Sequence, residues 1–573
     1  MIERRLWFGD DHRPLAGVIN APDHSRARGG VLLCAPLARE HVTTYPTFRA
    51  LAHGLADAGF AVLRFDYDGT GDSAGRIDDP ERVAAWIRSA RDAAALMRAS
   101  VGGPLAVVGM RMGGLLATAA SADIAPDAVV LWDTCESGRA FVREQTMLQG
   151  AGQVAPPSTA GADLPGYSWP NAIVKDLAEL TFSALGRPTA RRILVLAHPA
   201  RATARSLRDV LGDEGLDVRP AVGQEALLDV PSVEARIPRQ AVADVITWLD
   251  ATMPSERSLM ATVGQSEAVV PAPGGRGEVA ERYVELGPLK LVGVRTEPVG
   301  GASAGLPTVV FLNTANEHHI GPGRQWVELG RDWAATHGLP SVRVDLSGLG
   351  DSPAREGQPR DITYAPEALD DVVDIAQALS GSSDATGGVM FVGLCSGAYT
   401  AIEGGLLVGA RAVMALSPVP GVRTAEMSAG PADPRRRATR VTRPWIAKLA
   451  ATDIAARWED RIPGWVWAVA DRARVVASPA AGLRDLVQSG TDTLVIAGPR
   501  DARPYLLRGK RDLARMRQTG CFRFEVVEGL DHALLAAAGR EEARRLLNAN
   551  VARLARSGQL ARRPFSTGTV GRT

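Results

Sequence analysis

The chain carries the same pattern twice, and this duplication limits what it can fold into more than any single motif does. GGVLLCAPLAREH, GFAVLRFDYDGTGDSAG and LAVVGMRMGGLLA follow one another between residues 29 and 117. TVVFLNTANEHH, GLPSVRVDLSGLGDSPA and GVMFVGLCSGAYTA follow in the same order between 308 and 401. Matching Gly71 to Gly350 and Gly109 to Gly393 gives offsets of 279 and 284 residues. Solenoid repeats run to about 50 residues, so a unit of this length repeated once means two homologous domains.

Within each unit, short Val/Leu/Ile/Phe runs alternate with amphipathic stretches such as YPTFRALAHGLADAG and RQWVELGRDWAATHG. Continuous apolar runs separated by helices indicate strands buried on both faces of a mostly parallel sheet, so the fold class is α/β, twice. Residues 251–277, ATMPSERSLMATVGQSEAVVPAPGGRG, are rich in Pro, Gly and Ser and lack periodicity, which reads as a linker. The expected organisation is a first domain over 1–250, a second over 278–560 with a long insertion at about 419–490, and a frayed tail over 561–573.

Composition narrows the function classes. With 46% hydrophobic and 23% charged residues among 573, there is apolar material for more than one core, which excludes wholesale disorder. The 65 basic residues cancel 64 acidic ones to a net charge of +1, so no global field attracts nucleic acid or an anionic membrane, and neither is an expected partner. The four cysteines, Cys34, Cys135, Cys395 and Cys521, show no CxxC spacing, which argues against a zinc site or a disulfide framework. A cytoplasmic location is the expectation, because the amino terminus reaches acidic residues before any apolar run forms.

The segment GVMFVGLCSGAYTAIEGG reads as a buried strand, Val389 to Val392, then a Gly-rich turn and a helix of small residues. A nucleophile exposed on a sharp strand-to-helix turn needs minimal side chains two residues before and after it, where strand and helix crowd together. Gly393 and Gly397 meet that demand and centre on Cys395. Gly393-Leu394-Cys395-Ser396-Gly397 resembles the nucleophile elbow of the α/β-hydrolase superfamily, with a thiol where the usual pattern G-x-S-x-G has a serine. The resemblance implies two tandem α/β-hydrolase-fold domains, and a triad in the chain order nucleophile, acid, histidine.

Both partners have candidates. TLVIAGPRDARP reads as a strand, Thr493 to Ala497, followed by a loop with Asp501; FRFEVVEGLDHALL reads as a strand, a loop with His532, and an amphipathic helix. Carboxylate and imidazole thus fall at the carboxyl ends of late strands, where open α/β sheets place their sites. His532 would deprotonate the thiol, Asp501 would orient the imidazole, and Cys395 would carry the acyl group. The backbone N–H of Ser396 is one oxyanion-hole donor by position, and the second is expected near Thr314 or Ala315 in the loop after the first core strand. His318 and His319, in that same loop, read either as substrate-positioning residues or as part of a hydrated loop. No cofactor and no metal are called for.

The first unit keeps the elbow without its chemistry. Its nucleophile position in VVGMRMGG is Arg111, whose guanidinium has no lone pair to offer near neutral pH. RILVLAHPARATA lacks a carboxylate to match Asp501, and QEALLDVPS lacks a histidine. This half reads as a degenerate hydrolase that shapes, stabilises or docks. Arg111 reads either as an anion binder or as a structural residue bonded to local carbonyls.

A thiol nucleophile bears on the reaction. An acyl-thiol keeps nearly the transfer potential of a thioester donor, so exchange is close to thermoneutral and favours passing the acyl group onward. G-x-C-x-G elbows resemble those of polyester synthases and of acyl or aminoacyl shuttles that act on carrier proteins, which implies an acyltransferase fed by a carrier-protein or CoA thioester. The insertion holds Arg435, Arg436, Arg437, Arg440 and Arg443 with Trp445, Trp465 and Trp467. This basic segment reads either as a lid receiving a phosphopantetheine arm or an acidic carrier, or as a solvated helix over packed tryptophans. Two other readings stay open: a thioesterase or esterase using the same three residues, and a non-catalytic scaffold of two pseudo-hydrolase domains.

Overall fold

The computed structural model describes residues 1–22, 26–150, 161–200, 203–261, 263–303, 305–380, 387–419, 479–557 and 560. In the first unit the main sheet contains β1 (Ile2–Asp10), β2 (Arg13–Ala21), β3 (Gly30–Cys34), β4 (Ala61–Phe65), β5 (Leu105–Met110), β6 (Ala128–Trp132), β7 (Arg192–Ala197) and β8 (Leu216–Pro220). They lie in the order β1-β2-β4-β3-β5-β6-β7-β8. The first two strands run antiparallel and the rest are parallel. The second unit repeats this order behind one extra edge strand. Its strands are β9 (Glu267–Pro271), β10 (Glu278–Leu286), β11 (Leu291–Pro298), β12 (Thr308–Phe311), β13 (Ser341–Val344), β14 (Val389–Leu394), β15 (Ala412–Leu416), β16 (Asp492–Ala497) and β17 (Phe522–Val526). Their order is β9-β10-β11-β13-β12-β14-β15-β16-β17.

The central strands are buried throughout, as βα crossovers with helices on both faces require. Each elbow strand runs straight into a helix: β5 into Met112–Ile124 and β14 into Ser396–Val408. Residues 251–277, read as linker, contain more structure than their composition suggests. Thr252 ends a helix that starts at Arg239, Ser258–Leu259 pairs with Arg26–Ala27, and Glu267–Pro271 is the edge strand β9. An exposed edge strand needs apolar residues on one face only, and Ala268 and Val270 supply them between exposed neighbours.

The two units meet through the equivalent loops after β4 and β13. Gly71 and Gly350 have φ of 49° and 45°, and a Cβ on either would lie 2.0 Å from a carboxylate oxygen of Asp66 or Asp345. The chain therefore wraps each aspartate and sends the next one, Asp72 or Asp351, across to the other unit. Asp72 accepts from Arg343 at 3.0 Å, and Asp351 pairs with Arg64 at 3.0 Å. His319 spans Asp72 and Asp345 at 2.7 and 2.8 Å. Arg324 donates to the carbonyls of Gly71, Ser73 and Gly75 at 2.7, 2.6 and 3.0 Å. Arg64, Asp72, His319, Arg324, Arg343 and Asp345 are buried, and the Asp351 side chain is nearly so, so the units share a polar, charge-paired seam. No helix among the described residues is long and apolar enough to cross a membrane.

Candidate active site

β14 delivers Cys395 to the top of the sheet in a backbone conformation that side chains rarely take, φ 55° and ψ −111°. The crowding inferred from the glycines is present. A Cβ on Gly393 would lie 2.2 Å from the Gly397 carbonyl, and one on Gly397 would lie 2.4 Å from the carbonyl oxygen of Asn313. The first unit shows the same strain at Arg111, with φ 52° and ψ −122°.

The structure brings the three expected residues together. His532 Nδ1 lies 2.9 Å from Asp501 Oδ2, which leaves Nε2 for the thiol. Asp501 sits in the first turn of the helix Pro499–Arg508 rather than in the loop expected, so the helix N-terminus supports its charge as well as its position. The Asp501 hydrogen bond, then that of Cys395, raises the His532 imidazole to about 10. Burial works against ionisation of Cys395, but hydrogen bonds from His532 and Tyr364, the His532 charge and the Ser396 N–H outweigh it and lower the thiol. A thiolate–imidazolium pair is the form this arrangement favours.

The Ser396 N–H is thus among the groups that favour the thiolate. The two candidates for the second position differ in their surroundings. The Ala315 N–H, on a residue with φ 51°, donates to Ser396 Oγ at 2.8 Å, while Thr314 is buried with its hydroxyl unpartnered among the described residues. The Ala315 N–H thus faces the nucleophile turn through the Ser396 hydroxyl.

Tyr364, which no motif marks, stands 3.5 Å from Cys395 Sγ. His318 and His319 do the reverse: expected as candidates beside the substrate, both are buried in the seam between units. His318 stacks on Tyr45 with ring centroids 4.0 Å apart, and burial lowers its imidazole to about 4. Burial opposes the charge on His319, but Asp345 and Asp72 raise it well above the ordinary value. Arg435, Arg436, Arg437, Arg440, Arg443, Trp445, Trp465 and Trp467 lie outside the described residues, as does the tail 561–573.

Residues 309–545 match the model of the alpha/beta hydrolase family, and residues 27–156 match that of the serine aminopeptidase S33 hydrolases. The chain is a tandem member of the α/β-hydrolase superfamily. No curated protein matches it. Among solved structures it is similar to Est1E from Butyrivibrio proteoclasticus at 13% identity, covering 43% of this chain and 98% of that one with a TM-score of 0.33. It is also similar to an α/β serine hydrolase without lid from Xanthomonas campestris, at 16% identity over 44% and 96% of the two chains, with a TM-score of 0.30. Mouse alpha/beta hydrolase domain-containing protein 10 is similar at 15% identity, covering 43% of this chain and 97% of its own, with a TM-score of 0.31.

In the first domain of this tandem α/β-hydrolase-fold protein, Arg111 is held by carboxylates, and not by the local carbonyls that one of its two readings called for. Its guanidinium meets Glu40 at 3.2 Å, Asp133 at 3.6 Å, and Glu144. The guanidinium is thus already paired with anions from its own domain, which weighs against a role in binding an external one. Burial raises Glu40 to about 7 against the pull of Arg111. The late loops of this domain hold an imidazole–carboxylate pair in reversed positions. His198 follows β7, Asp229 follows β8, and they lie 3.0 Å apart.

Proposed function

We propose that this tandem α/β-hydrolase-fold protein is an acyltransferase that works through an acyl-Cys395 intermediate. The observation that carries the reading is the thiol in a strained elbow, lowered by His532, which is itself bonded to Asp501 at 2.9 Å. In the forward step the Cys395 thiolate attacks the carbonyl carbon of a thioester. Charge collects on the oxygen near the N–H groups of Ser396 and Ala315, and the donor's thiolate leaves with the proton of His532. The acyl-thioester on Cys395 is about as reactive as the donor, so an amine, alcohol or thiol acceptor completes the transfer with His532 as base. The first domain contributes no nucleophile in this scheme; its role is structural.

Intact-protein mass spectrometry after mixing with a panel of acyl thioesters tests the reading. The expected result is a mass increment on the wild type, absent from Cys395→Ala, that discharges to an added acceptor. No increment with any donor, together with alkylation of Cys395 no faster than that of Cys521, would sink it in favour of the non-catalytic scaffold.

The family models that match both halves are models of hydrolases, which favours a second reading in which water takes the acyl group and the enzyme is a thioesterase or esterase. Free acid as the sole product in the presence of a good acceptor would select it. If the donor is carrier-bound, replacing Arg435, Arg436 and Arg437 by alanine should raise KM for the carrier thioester and leave that for a small ester unchanged. Equal losses on both would contradict carrier docking.

A further inference from the structure

We propose that Tyr364 is a further catalytic residue, donating its phenolic hydrogen to the Cys395 sulfur, and that Arg49 of the first domain is the positioning residue that holds its loop in place. The inference rests on Cys395 being the nucleophile. Tyr364 Oη lies 3.5 Å from Sγ, within reach of a sulfur acceptor, and its ring meets Tyr399 edge-on with centroids 6.1 Å apart. Burial, and then the nearby thiolate, hold the phenol above its ordinary range, so it stays a donor at neutral pH. His532 is the other titratable side chain on the sulfur, with Asp501 behind it.

The loop that presents Tyr364 has no regular structure of its own and carries two non-glycine residues at positive φ, Asp361 at 60° and Tyr364 at 59°. Strain of this kind persists only where surrounding contacts impose it. Within the second domain Asp361 N–H bonds the carbonyl of Gly348 at 3.0 Å, and Arg360 bonds the carbonyl of Ser352 at 2.8 Å. Gln358 donates to the carbonyl of Ser347 at 3.0 Å, Arg355 anchors the loop to Asp371 at 2.6 Å, and further contacts come from the other domain. Arg49, buried in the helix Arg39–Asp57, bonds the carbonyl of Gly350 and reaches both Asp361 oxygens at 3.3 and 3.5 Å. Arg64 adds its pair with Asp351 at the start of the same loop. A domain without a triad thus reaches the nucleophile of its neighbour through three residues: Arg49, Asp361 and Tyr364.

The chemistry is a donated hydrogen bond with no proton transfer. It lowers the free energy of Sγ⁻ before attack and is released when the S–C bond forms and the sulfur loses its charge. Tyr364 keeps its proton throughout.

The test is the pH dependence of Cys395 alkylation by iodoacetamide, followed by peptide mass spectrometry on the full chain. Tyr364→Phe removes one oxygen and should raise the midpoint by about one pH unit. Arg49→Ala should shift it in the same direction, Arg49→Lys should partly restore it, and Asp361→Asn should repeat the Arg49→Ala shift. In the Tyr364→Phe background, Arg49→Ala should add nothing, because its effect runs through the lost hydroxyl. An unchanged midpoint in Tyr364→Phe overturns the role of Tyr364. A shift from Arg49→Ala that persists in the Tyr364→Phe background, or no shift in either, overturns the link between domains. Because no acyl donor is used, the two readings fail separately: a wild type that titrates as described but yields only free acid from acyl donors defeats the transferase reading and leaves this inference standing. An ordinary thiol midpoint in the wild type overturns both.

Discussion

Replacing His532 by alanine is expected to slow acylation of Cys395 by about 10⁴-fold, the scale of losing one member of a nucleophile–base–acid set. The pH profile should change with it. In the wild type the thiol is lowered and His532 is raised to about 10, so the ion pair is populated from the thiol's lowered midpoint up to near pH 10. Acylation should rise through the first limb, stay flat across neutral pH, and change again only as His532 loses its proton. Without His532 the acid limb should move up toward the ordinary thiol value of about 8.5, softened by the Tyr364 hydrogen bond. Stopped-flow acylation by a thioester between pH 5 and 10 measures both. A loss under tenfold with an unmoved limb would mean that another group is the base.

Much of the fold was legible because apolar burial leaves a periodic mark. VLLC, AVLRF and LAVVGM have to be strands buried on both faces, and their recurrence as TVVF, SVRV and VMFVGL predicts a second sheet with the same strand order. β9 was missed because a one-faced edge strand needs only Ala268 and Val270 to point inward, and the prolines and glycines around it hide that alternation.

The elbow was legible for a different reason. Steric demand fixes glycine at set distances from the nucleophile, so Gly393 and Gly397 mark Cys395 from chain neighbours alone. Tyr364 carries no such mark: it reaches the sulfur through a loop whose shape depends on Arg49, 312 residues from Asp361 in the chain. His318 and His319 read either as substrate-positioning residues or as part of a hydrated loop because their loop does face the elbow, as the Ala315 bond to Ser396 shows. What local sequence did not reveal is that the loop's far side is covered by Tyr45 and Asp72 of the other domain. The reversed pair His198 and Asp229 carries no mark in the sequence, because each residue stands on the loop where the fold's usual chain order puts the other.

Asp72→Ala should be the most destabilising single change in the seam, because it strips an anion from cations that have no water to replace it. Arg343 and His319 both pair with the Asp72 carboxylate, and all three are buried. Removing one partner of such a set costs about 3–5 kcal/mol, or roughly 10 °C in Tm for units of this size. Asp72→Asn, which keeps the shape and some hydrogen bonding, should cost less. The pH dependence has a definite sign. Burial opposes ionisation of Asp72 and Glu281, but His319 with Arg343, and Arg331 with Arg343, hold them below their ordinary values, Glu281 at about 2. Their contribution is therefore complete above the unfolded carboxylate range near 4 and is lost as the pH falls toward 2. His319, raised, contributes fully below about 6.5 and loses that contribution only as the pH climbs through its elevated value. Calorimetry across pH 2 to 8 should show the wild type losing Tm steeply on the acid side and Asp72→Ala losing it less, so that the two curves approach each other as the pH falls. Parallel curves would mean that the Asp72 charge is not what binds the two domains. Because Asp72 and Asp351 hold opposite ends of one seam, a weakened seam should also loosen the loop carrying Tyr364 and slow alkylation of Cys395 at neutral pH.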